Sequence, residues 1–159
     1  MTAMTVQSAT SDETRLLREQ QAGLLQPQGE RSAQDQLPRS SDPLWLTLAK
    51  SSVEYDDETG MFSIDLPPEV KALDGQTVSV KGFVLPMDGS DHTRHFLVTR
   101  NTPVCFFCPP GTPYEVIEVT SSKAVAWTDN MVTVKGKMKL INNGEKALFF
   151  QIAASEVTQ

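Results

Sequence analysis

Alternation of apolar and polar residues dominates the second half of the chain. Val78, Val80, Gly82 and Val84 share one face of a run that ends at Pro86. Phe96 and Val98 alternate in a second run, Arg94 to Arg100. Tyr114, Val116 and Glu118, with Ile117 and Val119 between and beyond them, make a third. Val132, Val134, Gly136, Met138 and Leu140 make a fourth, and Ala147 to Ala153 a fifth. A period of two is the mark of a half-buried strand. Asn142-Asn143-Gly144 joins the last two runs, and Asn-Gly there is a hairpin signal.

Two of these runs resemble each other. Thr77-Val-Ser-Val-Lys-Gly-Phe-Val84 and Val132-Thr-Val-Lys-Gly-Lys-Met138 each carry a glycine mid-strand after Val-Lys. Such a glycine marks a bulge or a sharp bend, as the corners of small barrels need. Five strands with coiling glycines predict an all-β fold, a small five-stranded OB-like barrel. A β-sandwich is the alternative.

The first half reads differently. Residues 1–42 are rich in Gln, Ser, Thr, Glu and Asp and contain no aromatic residue. That composition predicts a disordered acidic arm, which buries too little apolar surface to offset its ordering entropy. It is partly helical if Leu16, Leu17, Leu24 and Leu25 form one short helix from Asp12 to about Leu25, limited by Gly23 and Pro27. The barrel domain is expected to span residues 43–159. It opens with Leu44, Trp45, Leu46 and Leu48 as a short helix or strand. Met61, Phe62, Ile64 and Leu66 follow, and Val70, Leu73 and Gly75 predict a helical turn with a glycine stop. Asp56-Asp57-Glu58 lacks calcium-loop spacing and reads as a hairpin turn.

Charge narrows the function. The net charge is −6 over 159 residues. Residues 1–75 hold 6 Lys/Arg against 13 Asp/Glu, whereas residues 76–159 hold 8 against 7. A near-neutral barrel lacks the footprint of nucleic-acid binding, so no nucleic-acid partner is expected. Lys135, Lys137 and Lys139 alternate without interleaved aromatics and read as a solvated strand face. No stretch approaches the length of a membrane helix, and Met1 to Asp12 has no signal-peptide character. The expectation is a periplasmic or envelope-associated protein if a leader was removed, and a cytoplasmic one otherwise.

Candidate chemistry is concentrated. Every histidine and cysteine falls within 17 residues, as His92-Thr-Arg-His95 and Cys105-Phe-Phe-Cys108. Two imidazoles and two thiolates form a set that suits tetrahedral zinc or another soft transition metal, so His92, His95, Cys105 and Cys108 are the candidate ligands. His92 and His95 are three apart, which in a regular strand puts them on opposite faces. They converge only if His92 lies in the preceding Asp88–Asp91 turn. The cysteines alternatively form a local disulfide, or remain two reduced, half-buried small side chains. Thioredoxin-like catalysis is disfavoured by Pro109-Pro110-Gly111-Thr112-Pro113, which cannot start a long helix. That proline run is a stiff loop flanked by Phe106, Phe107 and Tyr114. Phe106, Phe107, Pro109, Pro110 and Tyr114 are therefore a candidate partner-binding rim, or else a plug for the core.

Leu73-Asp-Gly-Gln-Thr-Val-Ser-Val-Lys-Gly-Phe-Val-Leu-Pro86, His95-Phe-Leu-Val98, Cys105-Phe-Phe-Cys-Pro-Pro-Gly111 and the upstream Trp45-Leu-Thr-Leu48 resemble family 3299 of the bacterial domains of unknown function. The resemblance covers residues 43–156 and leaves the arm unmatched. It implies small exported proteins or lipoproteins, sometimes associated with ABC-type export or zinc-uptake systems. The expected function is a non-enzymatic envelope accessory protein that binds zinc or a transporter partner through residues 92–108. A redox protein cycling Cys105 and Cys108, and an oligonucleotide-binding barrel, are the alternatives.

Overall fold

A computed structural model describes residues 33, 35–87, 90–103 and 111–159. Among the described residues seven strands follow in order: β1 (Ser52–Asp56), β2 (Met61–Asp65), β3 (Thr77–Pro86), β4 (His92–Thr99), β5 (Val116–Ala126), β6 (Val132–Asn143) and β7 (Leu148–Thr158). A short helix α1 (Pro43–Leu48) precedes β1, α2 (Pro68–Lys71) precedes β3, and a 3-10 turn (Pro113–Glu115) leads into β5. The strands β3-β4-β5-β7-β6 close into a barrel, β6 pairing back onto β3. Neighbours are antiparallel except β5 and β7, which run parallel. Counted within the barrel, the order is first, second, third, fifth, fourth, the Greek-key connection of an OB-like barrel. Closure sets the sandwich aside. The expected helix at Asp12–Leu25 lies outside the described residues.

The alternating residues supply the core. Val80 and Val84 of β3, Phe96 and Val98 of β4, Ile117 and Val119 of β5, Val134 and Met138 of β6, and Phe150 and Ile152 of β7 are all buried. Both mid-strand glycines have a steric cause. At Gly136 the β6–β7 register slips between Lys135 and Gly136, and a β-carbon would lie 2.1 Å from the Ala153 carbonyl oxygen. At Gly82 it would lie 2.6 Å from the Thr99 carbonyl oxygen and 3.2 Å from the Trp45 ring. Trp45, from α1, covers this spot, and its indole Nε1 donates to the Lys81 carbonyl at 2.9 Å.

The Leu44–Leu48 cluster is thus a helix, with Pro43 at its start and Asp42 as its cap. Asp42 Oδ1 accepts from the Leu44 amide at 3.0 Å, and Oδ2 accepts from the Lys81 amide at 3.0 Å. The hold on the barrel reaches upstream of Pro43. The Ser40 amide donates to the Arg100 carbonyl at 2.9 Å, Arg39 bridges Asn101, and Thr102 Oγ1 donates to the Pro38 carbonyl at 2.6 Å. Asp56–Glu58 is the β1–β2 hairpin turn, where Asp56 Oδ1 accepts from the Glu58 amide at 2.9 Å. That hairpin docks on the turn between β6 and β7, the Phe62 amide donating to the Gly144 carbonyl at 2.9 Å. Among the described residues no helix is long and apolar enough to cross a membrane.

Candidate functional site

The candidate residues belong to one hairpin. β4 and β5 pair from His92↔Ala126 at one end to Thr99↔Val116 at the other, and residues 100–115 join them. Cys105, Phe106, Phe107, Cys108, Pro109 and Pro110 lie within this connection and outside the described residues. The residues that flank them on either side are buried and polar. The Glu115 side chain, in a residue only 3% exposed, accepts from Thr112 Oγ1 at 2.8 Å and from Asn101 Nδ2. Its backbone joins too, since the Arg100 amide donates to the Glu115 carbonyl at 3.0 Å. Asn101 is fixed from the other side, its carbonyl accepting from Thr99 Oγ1 at 2.8 Å. One carboxylate therefore ties the two ends of the cysteine-bearing loop together. Gly111 completes the joint. It has φ +149°, and a β-carbon there would lie 2.9 Å from Asn101 Nδ2.

Tyr114 does not stand on a rim: it is 8% exposed and packs in the core cluster, carried there by the 3-10 turn Pro113–Glu115.

The histidines lie on β4, not in the preceding turn, yet they share a face. Thr93 and Phe96 are both buried although they stand three positions apart, an odd offset that a regular strand would split. The β4–β5 register shifts between Thr93 and His95, and this irregularity at Arg94 reverses the alternation. His92, next to Thr93, and His95, next to Phe96, are consequently both turned away from the core. Their side chains are 66% and 48% exposed.

Each imidazole has its own carboxylate. His92 Nδ1 lies 3.5 Å from Asp91 Oδ1. His95 Nε2 lies 2.7 Å from Glu118 Oε2, and Glu118 Oε1 accepts from Gln151 Nε2 at 2.5 Å. Burial alone would raise the Glu118 carboxyl. The bonds from Gln151 and His95 and the charges of His95 and Lys146 outweigh it and hold the group below its ordinary value. An ionised carboxylate only accepts, so His95 Nε2 carries the proton in that bond. In the neutral ring Nδ1 then offers its lone pair. Among the described residues no group of three His, Cys, Asp or Glu is placed to hold a metal ion. A full ligand set would need the thiolates. His95 stands four residues before Thr99, about 13 Å along a strand, so the loop would have to lie back along the outer face of the hairpin.

Glu115, Asn101, Thr112, Glu118 and Gln151 were not among the residues expected at the site. The visible signal for Glu115 is a carboxylate set directly between Tyr114 and Val116, where a buried acid must find partners.

An OB-like barrel with a cysteine-bearing hairpin connection on a polar frame defines the class of protein. The chain belongs to the family of proteins of unknown function DUF3299, whose model matches residues 8–158. The match reaches well upstream of residue 43, so the arm belongs to the family pattern. The chain is similar, at 28% identity, to a DUF3299 family protein from Pseudomonas aeruginosa PAO1 of known crystal structure. That similarity covers 57% of this chain and 65% of the other, with a TM-score of 0.48. No curated protein matches the chain.

Proposed function

We propose that this protein is a non-enzymatic binding protein that takes a zinc-like transition metal through Cys105 and Cys108 with His95, and with His92 as the more weakly held fourth ligand. The observation that supports it most is the Gln151–Glu118–His95 chain. Metal-binding histidines commonly donate their second ring nitrogen to a carboxylate, which fixes the ring and raises its basicity. His95 has that partner already, and the irregularity at Arg94 turns His92 to the same face. An envelope location and a transport-system partner accompany this reading through the family resemblance.

The test is metal analysis of the purified full chain together with thiol counting. About one equivalent of zinc is expected with four ligands, and binding should weaken as pH falls because the thiolates must be deprotonated. Cys105→Ser should abolish it, His95→Ala should weaken it strongly and His92→Ala less. Metal-free protein with two sulfurs bonded at about 2.05 Å would refute the reading.

A second reading is favoured by the buried Glu115 latch. A loop tied at both ends loses little freedom on binding, as suits recognition of a protein partner by Phe106, Phe107, Pro109 and Pro110. A disulfide between Cys105 and Cys108 would brace it further.

A further inference from the structure

The outer face of the β3–β6 pair carries charge of one sign. Thr77, Ser79 and Lys81 of β3 pair with Lys137, Lys135 and Thr133 of β6, and all but the half-buried Thr133 are exposed. Residues directly opposite share a face, and Lys139 continues the exposed row on β6. Alternate residues of a strand lie about 6.8 Å apart, so Lys135, Lys137 and Lys139 form a line of about 14 Å. The register slip beside Gly136 puts its extra residue, Ser155, on β7, and the alternation of β6 runs through it unbroken.

Alternating lysines by themselves describe a solvated strand. The structure adds that nothing neutralises them. Neither β3 nor β6 contains Asp or Glu, and among the described residues none of the four lysines forms an ion pair. Glu156 of β7 stands opposite Lys135 in register without joining it in an ion pair. Asp42 and Asp74, which border the two strands, each give an oxygen to a backbone amide, of Lys81 and of Leu140. The net charge of −6 opposes an anionic partner at long range. Salt near 0.1 M screens exposed charges beyond about 10 Å, so the groups in contact decide.

What the face lacks selects the partner. Its outward residues include no aromatic side chain, on which bases stack or the hot spots of protein interfaces form. They include no arginine, whose fork grips a single phosphate or carboxylate by two bonds. Lysines are point charges on flexible stems, here set among small hydroxyl residues. That pattern suits a dense, laterally mobile layer of negative charge, as an anionic bilayer presents.

We propose that the β3–β6 face seats the protein on an anionic lipid surface through Lys81, Lys135, Lys137 and Lys139. The proposal uses none of residues 92–108 and is independent of the metal reading.

The test co-sediments the full chain with vesicles of phosphatidylcholine alone, and of phosphatidylcholine mixed with an equal part of phosphatidylglycerol. Binding to the mixed vesicles only, released by salt at about 0.5 M, is expected. Each lysine near such a surface contributes about fivefold in partitioning, so Lys135→Gln with Lys137→Gln and Lys139→Gln should weaken binding about hundredfold. The melting temperature should not change. Lys50→Gln with Lys71→Gln and Lys123→Gln makes the same change in net charge on other exposed lysines, and should weaken binding far less. No binding to the mixed vesicles, equal binding to both kinds, binding that survives the β6 substitutions, or an equal loss in the control would each overturn the proposal. So would tighter binding of polyglutamate than of the vesicles, which would assign the face to an acidic protein.

Discussion

Replacing Glu115 by Ala tests whether one carboxylate holds the cysteine loop to the barrel. The change removes the acceptor for Thr112 Oγ1 and for Asn101 Nδ2, both in buried residues. A buried polar group that loses its partner costs about 1–3 kcal/mol, and two donors lose this acceptor. Water entering the vacated space recovers part of this, so a net loss of about 2–4 kcal/mol is expected. For a chain of 159 residues that corresponds to a fall of about 6–14 °C in melting temperature. Glu115→Gln keeps one oxygen acceptor and should lose about half as much. The fall alone would not identify a latch, since any buried substitution destabilises. Amide hydrogen exchange supplies the local readout. The Arg100 and Glu115 amides, bonded to the Glu115 and Thr112 carbonyls, should lose protection well below the melting transition. Amides of β6 and β7 should keep theirs. If Glu115→Ala melts with wild type, or if exchange accelerates equally throughout the barrel, Glu115 is not a latch.

Gly136→Ala should lower the urea midpoint by an amount equivalent to at least about 2 kcal/mol, because the β-carbon meets backbone at 2.1 Å and one strand must move; an unchanged midpoint would show that the β6–β7 contact is looser. Glu118 has a folded pKa below its ordinary value, so its contribution is present above the unfolded pKa and lost as pH falls through the folded one. Acid titrations of stability should therefore show a steeper loss below the ordinary carboxylate range in wild type than in Glu118→Gln, and superimposable curves would contradict this. Removing residues 1–36 should leave the melting temperature near that of the full chain. Removing residues 1–42 takes away the Asp42 cap and the Ser40 bond to Arg100, and should cost about 2–3 kcal/mol.

The barrel was legible because its strands bury one face, and a period of two survives in the residues themselves. The Val-Lys-Gly repeat was equally readable, since a mid-strand glycine has few causes. At Gly136 the cause is a register slip. At Gly82 it is mainly close approach by Thr99 and Trp45, a contact between elements 37 residues apart that no local pattern encodes. The attachments of residues upstream of Pro43 were hidden for the same reason. Ser40 is small, polar and in a polar stretch, but it is buried through a bond to Arg100, 60 residues away.

The histidines show how little it takes to reverse an inference about a site. Regular alternation put His92 and His95 on opposite sides of the sheet, and that reasoning weighed against a shared ligand face. One irregularity at Arg94 restores the shared face while leaving Phe96, Val98 and the rest of β4 in register with β5. Arginine carries no mark of a bulge, as glycine does, so the sequence held no warning. The partners of His95 were hidden in a different way. Glu118 and Gln151 are distant in sequence but lie opposite each other on the parallel pair β5–β7, a pairing that exists only once the barrel closes. The imidazole is thereby oriented by closure of the barrel itself, and substitutions that loosen the β5–β7 pairing should disturb His95 before they disturb the core.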